Sequence, residues 1–217
     1  MAMPTNREAQ AGAAGRAADA PGRAAVGPSR PVAAWRAFAA SDARVLALSL
    51  VLQLTLGTVL GHSNDTRIFM VAGYLAGTGH NPYVPHDLTT VFHHLYFDVR
   101  SSVGYPPPWP IALGLLYRVS FGLTHDFLLY NLAIKLPVIA ANVGLAYLVR
   151  AILRRLSASP TVSRRAWVFL LLNPFLLYFT AAWGQIDGIV ALLALLALVL
   201  LDRRRPASSA LLLAFAT

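Results

Sequence analysis

The chain has 217 residues, of which 57% are hydrophobic and only 12% charged, a balance that excludes an ordinary soluble domain and points to a protein that crosses a bilayer several times. Its net charge of +9 is carried by short arginine clusters beside apolar runs, which assigns the basicity to membrane orientation and anionic headgroups, with no nucleic acid as partner. With no cysteine, disulfides and thiolate metal sites are excluded.

Residues 1–44 form a basic tail of Ala, Gly, Pro and Arg in no period, which reads as disordered. Its arginines keep it cytoplasmic, and the first apolar core comes too late for a cleavable signal. A first span at about 45–61 is apolar apart from Gln53 and threonines, and it delivers Ser63 onward to the outer face. The interval 62–125 is then a long polar first loop, and connections of that length in compact folds are functional or disordered. Inside it, Ile68, Phe69, Val71, Ala72, Leu75 and Ala76 recur at helical spacing and predict an amphipathic helix over 66–77. The turn Gly79-His80-Asn81-Pro82-Tyr83 follows, and Asp87 is placed to cap a second short helix over 88–97.

The apolar piece at 111–123 is interrupted by Arg118 and preceded by prolines that favour an extended entry. It is short for a span and suits a segment that dips and returns. The next span, 126–149, is followed by Arg150, Arg154, Arg155, Arg164 and Arg165. Those arginines fall inside only if 111–123 does not cross, so the positive-inside rule selects the dip. From 166 to 201 only Asp187 is charged. One helix of that length would be roughly 54 Å against a hydrocarbon core of about 30 Å, so two spans, 166–182 and 188–201, turn at Trp183-Gly184-Gln185-Ile186-Asp187-Gly188. Asn173-Pro174 should kink the first of them. After Asp202-Arg203-Arg204-Arg205 another apolar run begins at 207 and stops well short of the roughly 20 residues a span needs, so the chain reads as the N-terminal part of a longer protein. The expected fold is an all-α polytopic membrane protein, a transmembrane helix bundle whose long extracytoplasmic first loop holds amphipathic and re-entrant helices.

Asp65 directly follows the first span, with Arg67 two residues on. A partly desolvated carboxylate at that boundary suits a general base, and the plain alternative is a helix cap by Ser63, Asn64 or Asp65. Asp187, alone in its apolar run, is either a functional intramembrane carboxylate or a wet turn residue. Asn131, Lys135 and Asn142 share one helix face that should turn inward. Lys135 there either holds a lipid phosphate as a point charge, snorkels, or pairs with a carboxylate. His80, His86, His93, His94 and His125 lack the spacing of a metal site, so no metal is expected. Tyr105, Trp109 and Trp183 are interface anchors or the walls of a sugar subsite.

Six short motifs occur in one order: Ser63-Asn64-Asp65, Gly79-His80-Asn81-Pro82-Tyr83, Tyr105-Pro106-Pro107, Lys135-Leu136-Pro137, Leu172-Asn173-Pro174 and Gly184-Gln185-Ile186-Asp187. In this order the chain resembles the GT-C superfamily of integral-membrane glycosyltransferases, above all its polyprenyl-phosphate-sugar-dependent mannosyltransferases of the GPI type. The resemblance covers roughly 45–217 and makes that segment the N-terminal part of a transmembrane glycosyltransferase domain. It implies that Asp65 is the first-loop acid that deprotonates an acceptor hydroxyl, that Asp187 is a second acid near the site, and that Gln185, Tyr105, Lys135 and Arg67 contribute to substrate binding. Many GPI-type members carry an Asp-x-Asp pair where this chain has Asp65-Thr66-Arg67, and the departure implies that no metal and no other cofactor is used.

The expected activity is transfer of a hexose, with mannose foremost, from a polyprenyl-phosphate carrier to a hydroxyl of a lipid or glycan acceptor, inverting the anomeric carbon. The expected location is a multi-pass position in the plasma or inner membrane, with the N-terminus cytoplasmic. The alternative is a transporter or flippase with Asp187 and Lys135 along its path.

Overall fold

The computed structural model describes residues 31, 35, 38, 40–62, 64–84 and 103–216. The expected helix at 88–97, its cap Asp87, and His86, His93 and His94 lie outside these residues, as does nearly all of the tail. Every regular element among the described residues is helical.

The helical unit begins at Ser41, whose hydroxyl caps α1, Asp42–Val59. Only Val45, Ser49, Gln53 and Gly57 of this helix are buried, one residue per turn. Val51, Leu52 and Leu54 face outward. Such an inside-out pattern, polar and small toward neighbours and apolar toward the surroundings, is what a helix packed in lipid needs.

α2, Asp65–Gly77, and α3, Pro108–Val119, are closely packed together. A Cβ built on Gly73 would fall 2.3 Å from the Tyr130 hydroxyl and 2.9 Å from the Leu113 carbonyl, so only glycine permits this approach. Arg118, which interrupts the apolar pattern, donates to the Gly77 carbonyl at 2.6 Å and caps α2. The prolines expected to give α3 an extended entry instead begin it. Pro107 is the N-cap in helical geometry, and Pro108 fills the first helical position, where a missing N–H costs nothing.

A bend at Ser120 leads to α4, Phe121–Thr124, and Asp126 then caps α5, Phe127–Arg155. Asn131, Lys135 and Asn142 of α5 are all buried, as their shared face requires. α6, Pro160–Leu172, is interrupted at Asn173-Pro174. Asn173 accepts from the amides of Phe175 and Leu176, re-capping the chain as α7, Pro174–Leu176, which widens into a π-helical turn, Leu177–Ala182. The expected kink is thus a break with its own cap. It leaves the Leu171 carbonyl to be taken by Ser49 of α1 at 2.7 Å.

The chain returns in α8, Asp187–Asp202, and α9, Pro206–Ala216, packs on it. Three helices among the described residues are long and apolar enough to cross a membrane: Asp42–Val59, Phe127–Arg155 and Pro160–Ala182.

Two sets of contacts fix the direction of each helix. At one end Asp42 pairs at 2.7 Å with both Arg150 and Arg164, and Arg155 lies 3.8 Å from Asp202. At the other, Asn131 and Lys135 reach the last carbonyls of α1. α1 and α5 are therefore antiparallel, and α2 to α4 return the chain to the end it had left.

Candidate active site

At that end the link between α1 and α2, the turn at 183–186 and the entry to α3 converge. Asp65 is the first residue of α2, and its carboxylate does not serve as the cap; Asn64 holds the N-cap position without a side-chain capping bond. Oδ2 accepts instead from the indole Nε1–H of Trp183 at 2.6 Å and the amide Nε2–H of Gln185 at 2.5 Å. Oδ1 has no partner among the described residues, and the side chain is 23% exposed.

His62 completes the near surroundings. Its Nδ1 accepts the backbone N–H of Asp65 at 3.3 Å and lies 3.4 Å from Oδ2. The imidazole stacks on Trp183, with centroids 4.3 Å apart.

Gln185 carries the network further, because its Oε1 accepts from the Tyr105 hydroxyl at 3.5 Å. Burial, and then the charges of Asp65 and Asp187, push the Tyr105 phenol above its ordinary pKa. The two acids thus sit on one end of the bundle, both near enough to Tyr105 to raise its pKa, with Asp187 itself exposed at the first position of α8. The Tyr105 carbonyl is in turn held at 2.9 Å by the hydroxyl of Tyr83, from the Gly79–Tyr83 turn.

Among the described residues three cavities open nearby. One of about 190 Å³ has Tyr105, Trp109, Ile186 and Asp187 in its wall. The second, of about 210 Å³, lies between the end of α1, α2 and the start of α5, with Leu60, Met70 and Leu128 as apolar wall and His62, Thr66 and Arg67 as polar lining. Asn131 also lines it, and Thr66 Oγ1 and Asn131 Oδ1 are buried there with no hydrogen-bond partner among the described residues. The third, of about 300 Å³, is lined by Leu60, Gly61, His62, Tyr178, Ala182 and Trp183.

Lys135 has a different surrounding. The side chain is fully buried, and Nζ donates to the carbonyls of Gly57 at 3.2 Å, Ala182 at 3.1 Å and Leu60. An ammonium has three protons, and all three are directed at protein oxygens. No group of three His, Asp or Glu side chains among the described residues is arranged to hold a metal.

Of the residues singled out from sequence, Asp65, Gln185, Tyr105 and Asp187 come together, Arg67 lines the second cavity, and Lys135 lies beneath the site. Two contributions went unseen. His62 is the one described histidine in contact with Asp65, and its only sequence signal is the i, i+3 spacing into the start of α2. Trp183 reads equally as a membrane anchor until Asp65, 118 positions away, is seen to accept from it.

No curated protein and no solved structure matches the chain. Residues 105–217, just over half of it, match glycosyltransferase family 87, a segment that contains Tyr105, Lys135, Trp183, Gln185 and Asp187. Asp65 precedes that segment but is hydrogen-bonded to two of its residues. A helical membrane bundle and this match lead to one statement: the chain belongs to glycosyltransferase family 87.

Proposed function

We propose that the protein transfers a hexose, mannose foremost, from a polyprenyl-phosphate carrier to a hydroxyl of a lipid or glycan acceptor, with Asp65 as general base. The observation that carries this is the Asp65 carboxylate itself: two N–H donors fix Oδ2, which among the described residues leaves Oδ1 for an acceptor hydroxyl. In the transfer, Oδ1 takes the hydroxyl proton as the acceptor oxygen bonds to the anomeric carbon. The bond from that carbon to the phosphate oxygen breaks, and the carrier phosphate departs with the electron pair. A single displacement of this kind inverts the anomeric centre.

The cavity beside α1 supports a lipid-phosphate donor, since its apolar wall suits a polyprenyl chain and Arg67, His62 and Thr66 supply polar groups for a phosphate. The cavity at Tyr105, Trp109 and Asp187 supports a sugar, for which an aromatic wall and a carboxylate accepting from hydroxyls are the usual complement. The carbonyl bonds of Lys135 weigh against it as the phosphate cation, since all three of its protons are engaged. The same bonds weigh against a transporter in which Lys135 lines a path.

The orientation follows from charge. Arg150, Arg154, Arg155, Arg164 and Arg203 to Arg205 lie at the end opposite Asp65, so the positive-inside rule puts the site on the extracytoplasmic side and the N-terminus in the cytoplasm.

Transfer of radiolabelled mannose from polyprenyl-phosphate mannose in membranes tests the assignment. Asp65→Asn should lower the rate by about 10²- to 10⁴-fold, the range for loss of a general base. Full activity in this variant would rule the mechanism out.

A further inference from the structure

The ammonium of Lys135 ties together the two chain segments that meet at Asp65. On one side it holds the carbonyls of Gly57 and Leu60, which end α1 just ahead of His62 and Asp65. On the other it holds the carbonyl of Ala182, the residue before Trp183. Asn131, one turn earlier on α5, reinforces the first side by donating to Gly57, Thr58 and Leu60 at 2.9–3.0 Å.

The lysine stem also supports the turn that carries Gln185. Gly184 has φ +96°, and a Cβ built there would lie 3.3 Å from Lys135 Cε, so turn and stem fit closely only with glycine at this position. Three carbonyls from two segments converge on one point, a geometry that a compact ammonium satisfies and a planar guanidinium does not. Placing a cation inside a membrane bundle is costly, and helix packing alone does not call for it.

We propose that Lys135 is a positioning residue for transfer, an inference that rests on Asp65 as the base: it sets the distance between the Asp65 carboxylate and its donors Trp183 and Gln185. No proton or bond of the reaction passes through it. With the clamp removed, α1 and the 183–186 turn are free to separate, and displacement of a reacting group by about 1 Å is enough to cost on the order of 100-fold in rate.

The experiment uses the full chain in nanodiscs, with polyprenyl-phosphate mannose as the probe, in a double-substitution cycle. Lys135→Met should lower kcat about 100-fold while the donor KM changes less than about threefold. In a Trp183→Phe, Gln185→Ala background, where the donors are already gone, the same substitution should cost less than about threefold. A loss that multiplies in full in that background assigns Lys135 to general stability, and a raised donor KM with kcat kept assigns it to phosphate binding. Either result overturns the proposal, as does full activity in Lys135→Arg.

Should Lys135→Met not fold, Gly184→Ala replaces it. It removes no polar group of the clamp, but it strains a turn held at φ +96° and sets a methyl group 3.3 Å from the Lys135 stem, and it should also lower kcat selectively and lose its effect in the donor-free background. A silent Gly184→Ala, or an equal loss in both backgrounds, overturns the proposal.

An activity-independent arm separates this from the role of Asp65. The emission attributed to Trp183, taken as the difference from Trp183→Phe, should shift in Lys135→Met in the direction that it shifts in Asp65→Asn. An unshifted spectrum refutes the clamp, whereas sugar transfer surviving in Asp65→Asn refutes only the base.

Discussion

The indole of Trp183 lies nearly parallel to the imidazole of His62, with planes inclined by 17°, while its N–H points at the Asp65 carboxylate from 2.6 Å. One aromatic side chain from the end of the π-helical turn therefore orders both polar residues at the start of α2. The π-helical turn, in turn, exists downstream of the Asn173-Pro174 break, so a proline in a span is connected by geometry to a hydrogen bond at the site.

Trp183→Phe keeps a ring against His62 and removes one donor to Asp65. A hydrogen bond to a charged acceptor contributes roughly 1.5–3 kcal/mol, so transfer should fall roughly 10- to 100-fold while the protein stays folded. Rates and circular dichroism on the same preparation check both halves of the expectation.

Chelation should leave the rate unchanged. Among the described residues no three His, Asp or Glu side chains gather to hold a cation, and Oδ2 of Asp65 is already taken by the N–H groups of Trp183 and Gln185, which leaves a metal Oδ1 alone. Transfer assays with EDTA, and with Mg²⁺ or Mn²⁺ restored, provide the measurement, and a metal-dependent rate would contradict it.

Tyr105 gives a pH dependence with a definite sign. Burial and the charges of Asp65 and Asp187 make the folded protein hold the phenolic proton more tightly than the unfolded chain does. The stability from this group is complete below the free-tyrosine value of about 10 and is lost as pH rises through the higher folded value. Unfolding followed against pH should show a loss in the wild type above about pH 10 that is smaller in Tyr105→Phe. Asp187→Asn, which removes one of the causes, should lower the pH at which tyrosinate absorbance appears.

Gly73→Ala and Asp42→Asn separate packing from surface charge. The first places a methyl group against the Tyr130 hydroxyl and the Leu113 backbone, and overpacking of this kind costs about 1–3 kcal/mol. The second breaks two ion pairs of a carboxylate that is 40% exposed, so the loss should be about 1 kcal/mol or less and should shrink with salt. Thermal unfolding in detergent at two salt concentrations distinguishes them. Transfer should fall with Gly73→Ala and persist with Asp42→Asn.

The helices were legible because apolar runs, caps and charge clusters are local. The apolar run after Arg44 and the turn at 183–188 mark where helices begin and end, and arginines at 150–165 with Arg203 to Arg205 identify one end of the bundle by simple counting. Those arginines also argued for a dip before α5, since crossing would have put them on the wrong side, and the structure brings the end of α1 and the start of α5 together. The proline entry to α3 was misread because the rule against helical geometry before proline is a preference, and here Pro107 adopts that geometry at the helix start, where no amide is needed.

By itself the sequence determined that this is a bundle of apolar helices, that Asp65 follows the first of them, and that Asn131, Lys135 and Asn142 share a buried face. Periodicity, end signals and the cost of charge in lipid act along a single helix and need no knowledge of its neighbours. Only the tertiary structure decided that Trp183 and Gln185 donate to Asp65, that His62 stacks beside it, and that Lys135 spends its protons on carbonyls of Gly57, Leu60 and Ala182. Each of these depends on which helix ends meet, and a hydrogen bond between residues 118 positions apart leaves no period or spacing in the chain to reveal it.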